Sequence, residues 1–278
     1  MGSAHFLKLG LIGSGIGASR TPAMHEREAA AHGIRCDYCL IDLDEGGRGP
    51  SALPTLIDAA EREGFAGLNI THPCKQQVMD LLTEVSEDAR EVGAVNTVVL
   101  RDGRRIGHNT DWTGFAQSVR TGLPGADVAH VVQLGAGGAG AATAYAMRKL
   151  GVERLTIIDV DPSRAEALAR RMGLRWSDDI AGSLASASGL IHATPTGMAS
   201  HPGLPLDATL LRSQLWLAEI VYFPLETALL TAARATGCRV LDGSGMAVGQ
   251  AVDAFRLFTG LEADRERMRR YFLEADLS

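Results

Sequence analysis

No apolar run in this sequence reaches the roughly eighteen residues that a bilayer crossing needs. Positive charge is not in excess either. Lys and Arg number 27 against 33 Asp and Glu, a formal net charge of −6, so bulk electrostatics does not favour nucleic acid or an anionic membrane surface. The N-terminus lacks a basic stretch followed by an apolar one, which sets the expectation of a cytoplasmic chain. Cysteine is scarce: the four are Cys36, Cys39, Cys74 and Cys238. Cys36 and Cys39 make a C-x-x-C, but no second pair completes a tetrahedral zinc site. The run Arg35–Asp42 around them reads as a strand, on which residues three apart face opposite sides. Reduced thiols agree with the cytoplasm. The eight histidines show no H-E-x-x-H or similar spacing, so no metal is expected. There is no internal repeat and no low-complexity tract.

The richest local signal is Val131–Gly140. An apolar β-type run leads into Gly135, Ala136, Gly137, Gly138, Ala139 and Gly140, and an alanine-rich helical segment, Ala141–Leu150, follows. Gly135, Gly137 and Gly140 fit G-x-G-x-x-G. The first glycine permits the turn, the second lets backbone N–H groups approach a pyrophosphate, and the third lets helix and strand pack closely. A second strand, Leu155–Ile158, ends at Asp159, where an acid can hydrogen-bond the adenosine ribose hydroxyls. The spacing predicts a Rossmann-type dinucleotide site and, with it, hydride chemistry.

The 278 residues suffice for two ordinary domains, and 46% apolar content builds a core. Strands are expected at Leu7–Ile12, Tyr38–Asp42 and Gly67–Ile70. Helices are expected from about Pro22 to Ala31 with Thr21 as N-cap, from Ser51 to Glu63, and from Gln76 to Leu82. Ala94–Leu100 and Ile106–His108 read as a hairpin turning at Asp102-Gly103. Beyond the second alternation, whose last strand is Val240–Leu241, come two helices, Ala247–Phe258 and Glu262–Glu274. The expected fold is α/β in two domains. A mostly parallel-sheet substrate domain spans 1–112 and 242–278, and a dinucleotide-binding Rossmann domain spans 113–241, with a cleft between them.

Four further motifs stand in order: Asn69-Ile70-Thr71-His72-Pro73-Cys74-Lys75, Gly93-Ala94-Val95-Asn96-Thr97, His108-Asn109-Thr110-Asp111 and Met246-Ala247-Val248-Gly249-Gln250. With the dinucleotide motif between the third and fourth, the chain resembles the shikimate dehydrogenase superfamily over nearly its whole length. Within it, the chain is most similar to the quinate/shikimate dehydrogenases. Two departures from the ordinary biosynthetic shikimate enzyme point there. Ser19-Arg20-Thr21-Pro22 stands where that enzyme has Ser-x-Ser-Pro, and Asp159-Val160-Asp161-Pro162-Ser163-Arg164 stands where it has an Asn-Arg-Thr motif for the NADP 2′-phosphate. The resemblance implies that Lys75 and Asp111 are the catalytic pair. It implies that Ser19 and Thr21 bind the substrate carboxylate, and that Thr71, Asn96 and Gln250 hold ring hydroxyls. Gly135–Ala139, Asp159, Arg164 and Thr194 would line the cofactor, with Val221 and Met246 beside the nicotinamide. It further implies a small polyhydroxy carboxylate as substrate and a monomer or homodimer.

The chemistry asks for these residue types. Oxidising a secondary alcohol removes a proton from oxygen and a hydride from carbon, so a base or a cation must stand at that oxygen. Lys75 can be either. Burial lowers a lysine's pKa and a neighbouring carboxylate raises it, so the two members of such a pair titrate together and the proton's owner stays open. Taken singly, Lys75 reads as a surface lysine and Asp111 as the N-cap of the helix from Trp112. His72 ranks below Lys75, since no carboxylate adjoins it in sequence to orient it. Arg20, between two inward-facing residues, is expected to point elsewhere. Asp159 favours NAD over NADP through like-charge repulsion with a 2′-phosphate. Arg164 could pair with Asp159 or Asp161, stack on adenine, or rescue a phosphate. The alternatives are an NADP-dependent biosynthetic shikimate dehydrogenase and a paralogue acting on aminoshikimate.

Overall fold

The computed structural model describes residues 6–274. In chain order the first elements are β1 (Phe6–Gly13), α1 (Thr21–Ala31), β2 (Arg35–Asp42), α2 (Leu53–Arg62), β3 (Gly67–Ile70), β4 (Glu84–Val85), α3 (Glu87–Val92), β5 (Thr97–Arg101) and β6 (Arg104–His108). Then come α4 (Asp111–Gly122), β7 (His130–Leu134), α5 (Gly138–Lys149), β8 (Arg154–Ile158), α6 (Pro162–Met172), β9 (Arg175–Trp176), α7 (Ile180–Ala185) and β10 (Gly189–His192). The last are β11 (Trp216–Glu219), α8 (Ala228–Thr236), β12 (Arg239–Leu241), α9 (Ser244–Thr259) and α10 (Arg265–Glu274). Two compact units result. One is built from the described residues up to Thr110 together with those from Gln250, the other from Asp111–Gly249.

The first unit carries a sheet in the order β2-β1-β3-β5-β6-β4, with β1 parallel to both β2 and β3 and with β5 antiparallel to β3 and β6. Alternation along β1 splits its apolar residues between two cores. Ile12 joins Leu53, Ile57, Leu68 and Ile70 on one face, while Leu7, Leu9 and Leu11 join Tyr38, Val99 and Phe258 on the other. The same alternation separates the two cysteines of β2. Cys36 packs with the second cluster and Cys39 with the first, and all four cysteines are free thiols.

The second unit is an all-parallel sheet in the order β12-β11-β10-β7-β8-β9. The chain runs outward from β7 through β8 and β9, then returns to β10 on the other side of β7. That reversal is a topological switch point, where open α/β sheets bind ligands beyond the strands' carboxyl ends. The loops that meet there follow β7 and β10: Gly135 to Gly137 and Ala193 to Met198.

Several predicted boundaries move. Thr21 is the first residue of α1, not its cap; Arg20 at the cap position has helical backbone (φ −87, ψ −4), and Ser19 Oγ accepts the Thr21 N–H at 3.3 Å. Gln77–Leu81 is a short 3₁₀ turn rather than a helix, because Leu82 turns extended to feed β4. The region from Pro50 begins as a 3₁₀ turn and becomes α-helical at Leu53. The final helix starts at Arg265, where the Asp264 carboxylate accepts the Arg267 N–H at 2.9 Å. No helix among the described residues is long and apolar enough to cross a membrane.

Candidate active site

In the first unit the polar residues cluster at the carboxyl ends of β1 and β3. Gly13 ends β1 where a Cβ would stand 2.2 Å from the Thr71 side chain, so only glycine lets the two strand ends close up. Ser14 N–H donates to the His72 carbonyl at 2.9 Å, and Thr71 N–H to the Ile12 carbonyl at 2.9 Å. Asp42, at the end of β2, holds the following loop by accepting the N–H groups of Gly15 (3.0 Å), Ile16 (2.9 Å) and Asp44 (3.0 Å). Partial burial alone would push the Asp42 carboxyl up; the three donors outweigh it and hold it below the usual carboxylate range. Ser19 and Thr21 emerge from that loop side by side, with Ser19 Oγ donating to Thr21 Oγ1 at 3.1 Å. Arg20 between them turns to the other side, as expected. It is buried, donates to the Phe272 carbonyl at 3.0 Å and stacks 4.7 Å over the Phe272 ring.

Lys75 follows the turn through the cis His72–Pro73 bond, and its carbonyl accepts the Val95 N–H at 2.8 Å. Lys75 is half-buried, and that bond fixes its backbone beside Val95, the residue before Asn96. Asn96 is buried and doubly bonded to Thr110. Its Oδ1 accepts the Thr110 N–H at 2.7 Å and its Nδ2 donates to Thr110 Oγ1 at 2.9 Å. Thr97 Oγ1 donates to Asn96 Oδ1 at 3.1 Å, while Asn69 Nδ2 donates to Thr97 Oγ1 at 3.2 Å and Tyr38 Oη donates to Asn69 Oδ1 at 2.8 Å. This relay sets the chain direction at Thr110, and Asp111 follows as the buried first residue of α4. The flanking Asn109 donates to the Ala94 carbonyl at 2.9 Å. Gln250 lies half-buried on α9.

In the second unit Gly135 takes φ +106, and a Cβ there would stand 2.4 Å from the Ala193 carbonyl oxygen, so residue type is forced twice over. A Cβ on Gly140 would stand 2.2 Å from the Gly135 carbonyl oxygen, which is the close strand–helix packing the motif predicts. Gln133 ties the turn together by donating to the carbonyls of Gly135 (2.9 Å) and Gly140 (2.8 Å). Gly137, by contrast, is exposed, and a Cβ there would meet nothing within 4 Å. It occupies the cap position of α5 with no side chain capping the helix, so the first-turn N–H groups stay available to an anion. Those features fit a dinucleotide pyrophosphate. Asp159 Oδ2 accepts the Ala136 N–H at 2.7 Å and Oδ1 accepts the Asp161 N–H at 3.0 Å. Arg164 is exposed and lies with its Nε 3.5 Å from Asp161 Oδ2.

The remaining predicted positions converge at β10, β11 and the start of α9. Thr194 is half-buried just past β10, and Val221 is buried just past β11. A Cβ on Gly243 would stand 2.4 Å from the Val221 carbonyl oxygen, so the segment entering α9 passes against that strand end, three residues before the buried Met246. Sequence reasoning missed Asn69, Tyr38, Thr97 and Thr110 as a relay, and Gln133, His192, Glu219 and Thr227 as supports. Asn69, Thr97 and Thr110 stand within the quoted motifs and Gln133 within the dinucleotide run; Tyr38, His192, Glu219 and Thr227 carry no local signal.

Two family models match: the shikimate dehydrogenase substrate binding domain over residues 11–98, and the shikimate 5′-dehydrogenase C-terminal domain over 243–270. A shikimate dehydrogenase (NADP(+)) from Streptomyces avermitilis is 57% identical over 94% of this chain and 92% of its own length. A quinate/shikimate dehydrogenase (NAD(+)) from Corynebacterium efficiens is 53% identical over 95% of this chain and 97% of its own. Among solved structures, the quinate dehydrogenase from Corynebacterium glutamicum in complex with NAD superposes with a TM-score of 0.91 at 50% identity, over 97% of this chain and 99% of that one. Fold, motif order and relatives agree, and the chain belongs to the shikimate dehydrogenase family, oxidoreductases that act on CH–OH groups with NAD or NADP.

Proposed function

We propose that this chain is a cytoplasmic, NAD-preferring dehydrogenase that moves a hydride between NAD and the C3 hydroxyl or ketone of quinate or shikimate. In this reading the first unit binds the substrate and the second the cofactor. Ser19 and Thr21, a hydroxyl pair at the start of α1, hold the substrate carboxylate with help from the helix dipole. Arg20 is not its ion-pair partner, because the guanidinium is committed to Phe272. Thr71, Asn96 and Gln250 orient the ring hydroxyls.

Lys75 takes the proton from the reacting oxygen during oxidation and returns it during reduction, and Asp111 supplies the balancing negative charge. NAD held on the second unit would supply the hydride acceptor. The turn from Gly135 to Ala139 would hold its pyrophosphate. Thr194, Val221 and Met246 would flank the nicotinamide, Asp159 would accept from the ribose hydroxyls, and Arg164 would stand at the adenine end.

The observation that carries the NAD preference is the Asp159 carboxylate, fixed by two backbone N–H groups at the end of β8. A 2′-phosphate there meets a like charge at short range. A second reading, an NADP-dependent shikimate dehydrogenase, is favoured by two observations: Arg164 is exposed and free to swing from its weak pairing with Asp161, and the relative at 57% identity is named for NADP(+). A grid of initial rates, shikimate or quinate with NAD or NADP, decides between them. The proposal expects kcat/KM at least about tenfold higher with NAD, a difference of about 1.4 kcal/mol. A preference for NADP with shikimate overturns it in favour of the second reading. Turnover restricted to amino-substituted analogues overturns the substrate.

A further inference from the structure

A histidine–carboxyl pair lies buried in the second unit, and the reaction chemistry does not use it. His192 ends β10 and Glu219 ends β11, and the two are partners in the parallel register. Their relative exposures are 0% and 2%. His192 Nδ1 stands 2.8 and 2.9 Å from the two Glu219 oxygens. The same carboxylate accepts the Val221 N–H at 3.0 Å and the Thr227 hydroxyl at 3.2 Å, and Thr227 Oγ1 in turn accepts the Leu230 N–H at 3.2 Å as the cap of α8. On the far side of the ring, Nε2 stands 2.5 Å from Thr194 Oγ1, which also accepts the Thr196 N–H at 3.3 Å.

The burial of such a pair is costly, and an apolar pair of similar volume often serves stability as well or better. Apolar neighbours do fill the same strands: Ile191 and Leu217 are fully buried. What distinguishes the polar pair is where its bonds lead. One end reaches Thr194 and the other the Val221 amide, two residues that the proposed function places at the nicotinamide end of the cofactor. A single chain of hydrogen bonds, Thr194–His192–Glu219–Val221, therefore spans the two loops that leave adjacent strands at the switch point.

We propose that His192 and Glu219 are positioning residues for the nicotinamide end of the cofactor, acting through Thr194 and Val221. The inference rests on the assignment of those two residues to the nicotinamide, not on the choice of quinate, shikimate or NADP. Two substitutions cut the same link. His192→Asn keeps an amide nitrogen near the Nδ1 position, facing Glu219, but is too short to reach Thr194. Thr194→Val keeps the branched shape and removes the hydroxyl.

The test is calorimetric titration of the full chain with the oxidised dinucleotide the wild type binds more tightly, NAD or NADP. The same proteins are titrated with the matching ADP-ribose, which lacks the nicotinamide. One hydrogen bond predicts a 3- to 10-fold weaker dinucleotide affinity, about 0.7–1.4 kcal/mol, in each single variant. The double variant should be no weaker than the weaker single, because both break one link. ADP-ribose affinity should stay unchanged in all three.

Wild-type dinucleotide affinity in either single variant overturns the proposal, as does an equal loss of ADP-ribose, which would mark a general structural role. Multiplying losses in the double variant also overturn it. Failure of the rate grid to show NAD preference, with these affinity differences intact, overturns the functional reading and leaves the positioning role standing.

Discussion

Asp159 Oδ2 accepts the Ala136 amide hydrogen at 2.7 Å, so the acid that ends β8 also fixes the glycine turn that follows β7. In the proposed function the same carboxylate would also recognise the ribose, and the two jobs can be separated. Asp159→Asn retains an oxygen for the Ala136 N–H but loses the charge. Its NAD to NADP ratio of kcat/KM should fall at least about tenfold through gain with NADP. Asp159→Ala removes the turn contact as well, so both cofactors should lose efficiency while the ratio still falls. Initial rates with the two cofactors check this, and an unchanged ratio in both variants refutes the assignment.

Lys75 is half-buried and its backbone, not its side chain, carries the contact to Val95. Lys75→Ala should lower kcat roughly 10²- to 10⁴-fold, the usual worth of a positioned proton donor or acceptor, a loss out of proportion to any fall in melting temperature. Lys75→Arg keeps the positive charge but cannot give up a proton near neutral pH, so kcat should fall similarly. Near-normal kcat in Lys75→Arg would reduce Lys75 to electrostatic stabilisation of the oxygen.

What could be seen in the sequence was what local geometry dictates. The G-x-G-x-x-G turn, the strand before it and the acid after the next strand are a single βαβ unit, and Gly135 and Gly140 stand where their φ and close packing require. The opposite faces of Cys36 and Cys39 follow from the period of a strand. The sequence pattern puts Thr21 at the cap, but a helix start depends on the backbone of the neighbouring residue, and Arg20, whose guanidinium bonds Phe272 far along the chain, already has helical geometry. The relay Tyr38–Asn69–Thr97–Asn96–Thr110 and the pair His192–Glu219 join residues from separate strands, and no periodicity announces them. His192 reads as one more residue of a buried β-strand until the register sets it against Glu219.

His25 offers a pH test of the first unit's core. The ring is fully buried, stacked 5.2 Å from Tyr38 and within 5.9 Å of Phe258, and neither nitrogen has a hydrogen-bond partner among the described residues. Burial lowers its pKa to about 3, against a smaller upward pull from Glu28. The folded protein therefore resists a proton that the unfolded chain accepts below about 6.5, so stability falls as pH drops from there toward 3. Between pH 7 and pH 5 the loss should be about 2 kcal/mol. Glu28 acts lower in pH. Burial pushes its carboxyl up, but Arg267 and the Asp264 N–H outweigh that and hold it below its ordinary value, so its contribution is lost only in stronger acid. His25→Phe should flatten the slope between pH 7 and 5 in denaturant titrations, leaving the share of His108 and His130, which burial also lowers. A slope unchanged by the substitution would place the titrating group elsewhere.

Asn96 separates support from recognition. Its amide satisfies the Thr110 N–H and hydroxyl and the Thr97 hydroxyl, all buried. Asn96→Ala removes one hydrogen-bond partner from each of those groups, and each lost buried hydrogen bond costs about 0.5–1.5 kcal/mol. A total of about 2–4 kcal/mol should appear as a lower denaturation midpoint at unchanged slope. The same relay sets the direction in which the chain enters α4 at Asp111, so kcat should fall together with a rise in substrate KM. Asn96→Asp keeps the acceptor for the Thr110 N–H but loses the donor to its hydroxyl. If Asn96 also holds a ring hydroxyl, as proposed, this variant should raise substrate KM more than it lowers stability. A variant that loses stability with substrate KM and kcat intact would show Asn96 to be a support of the fold alone.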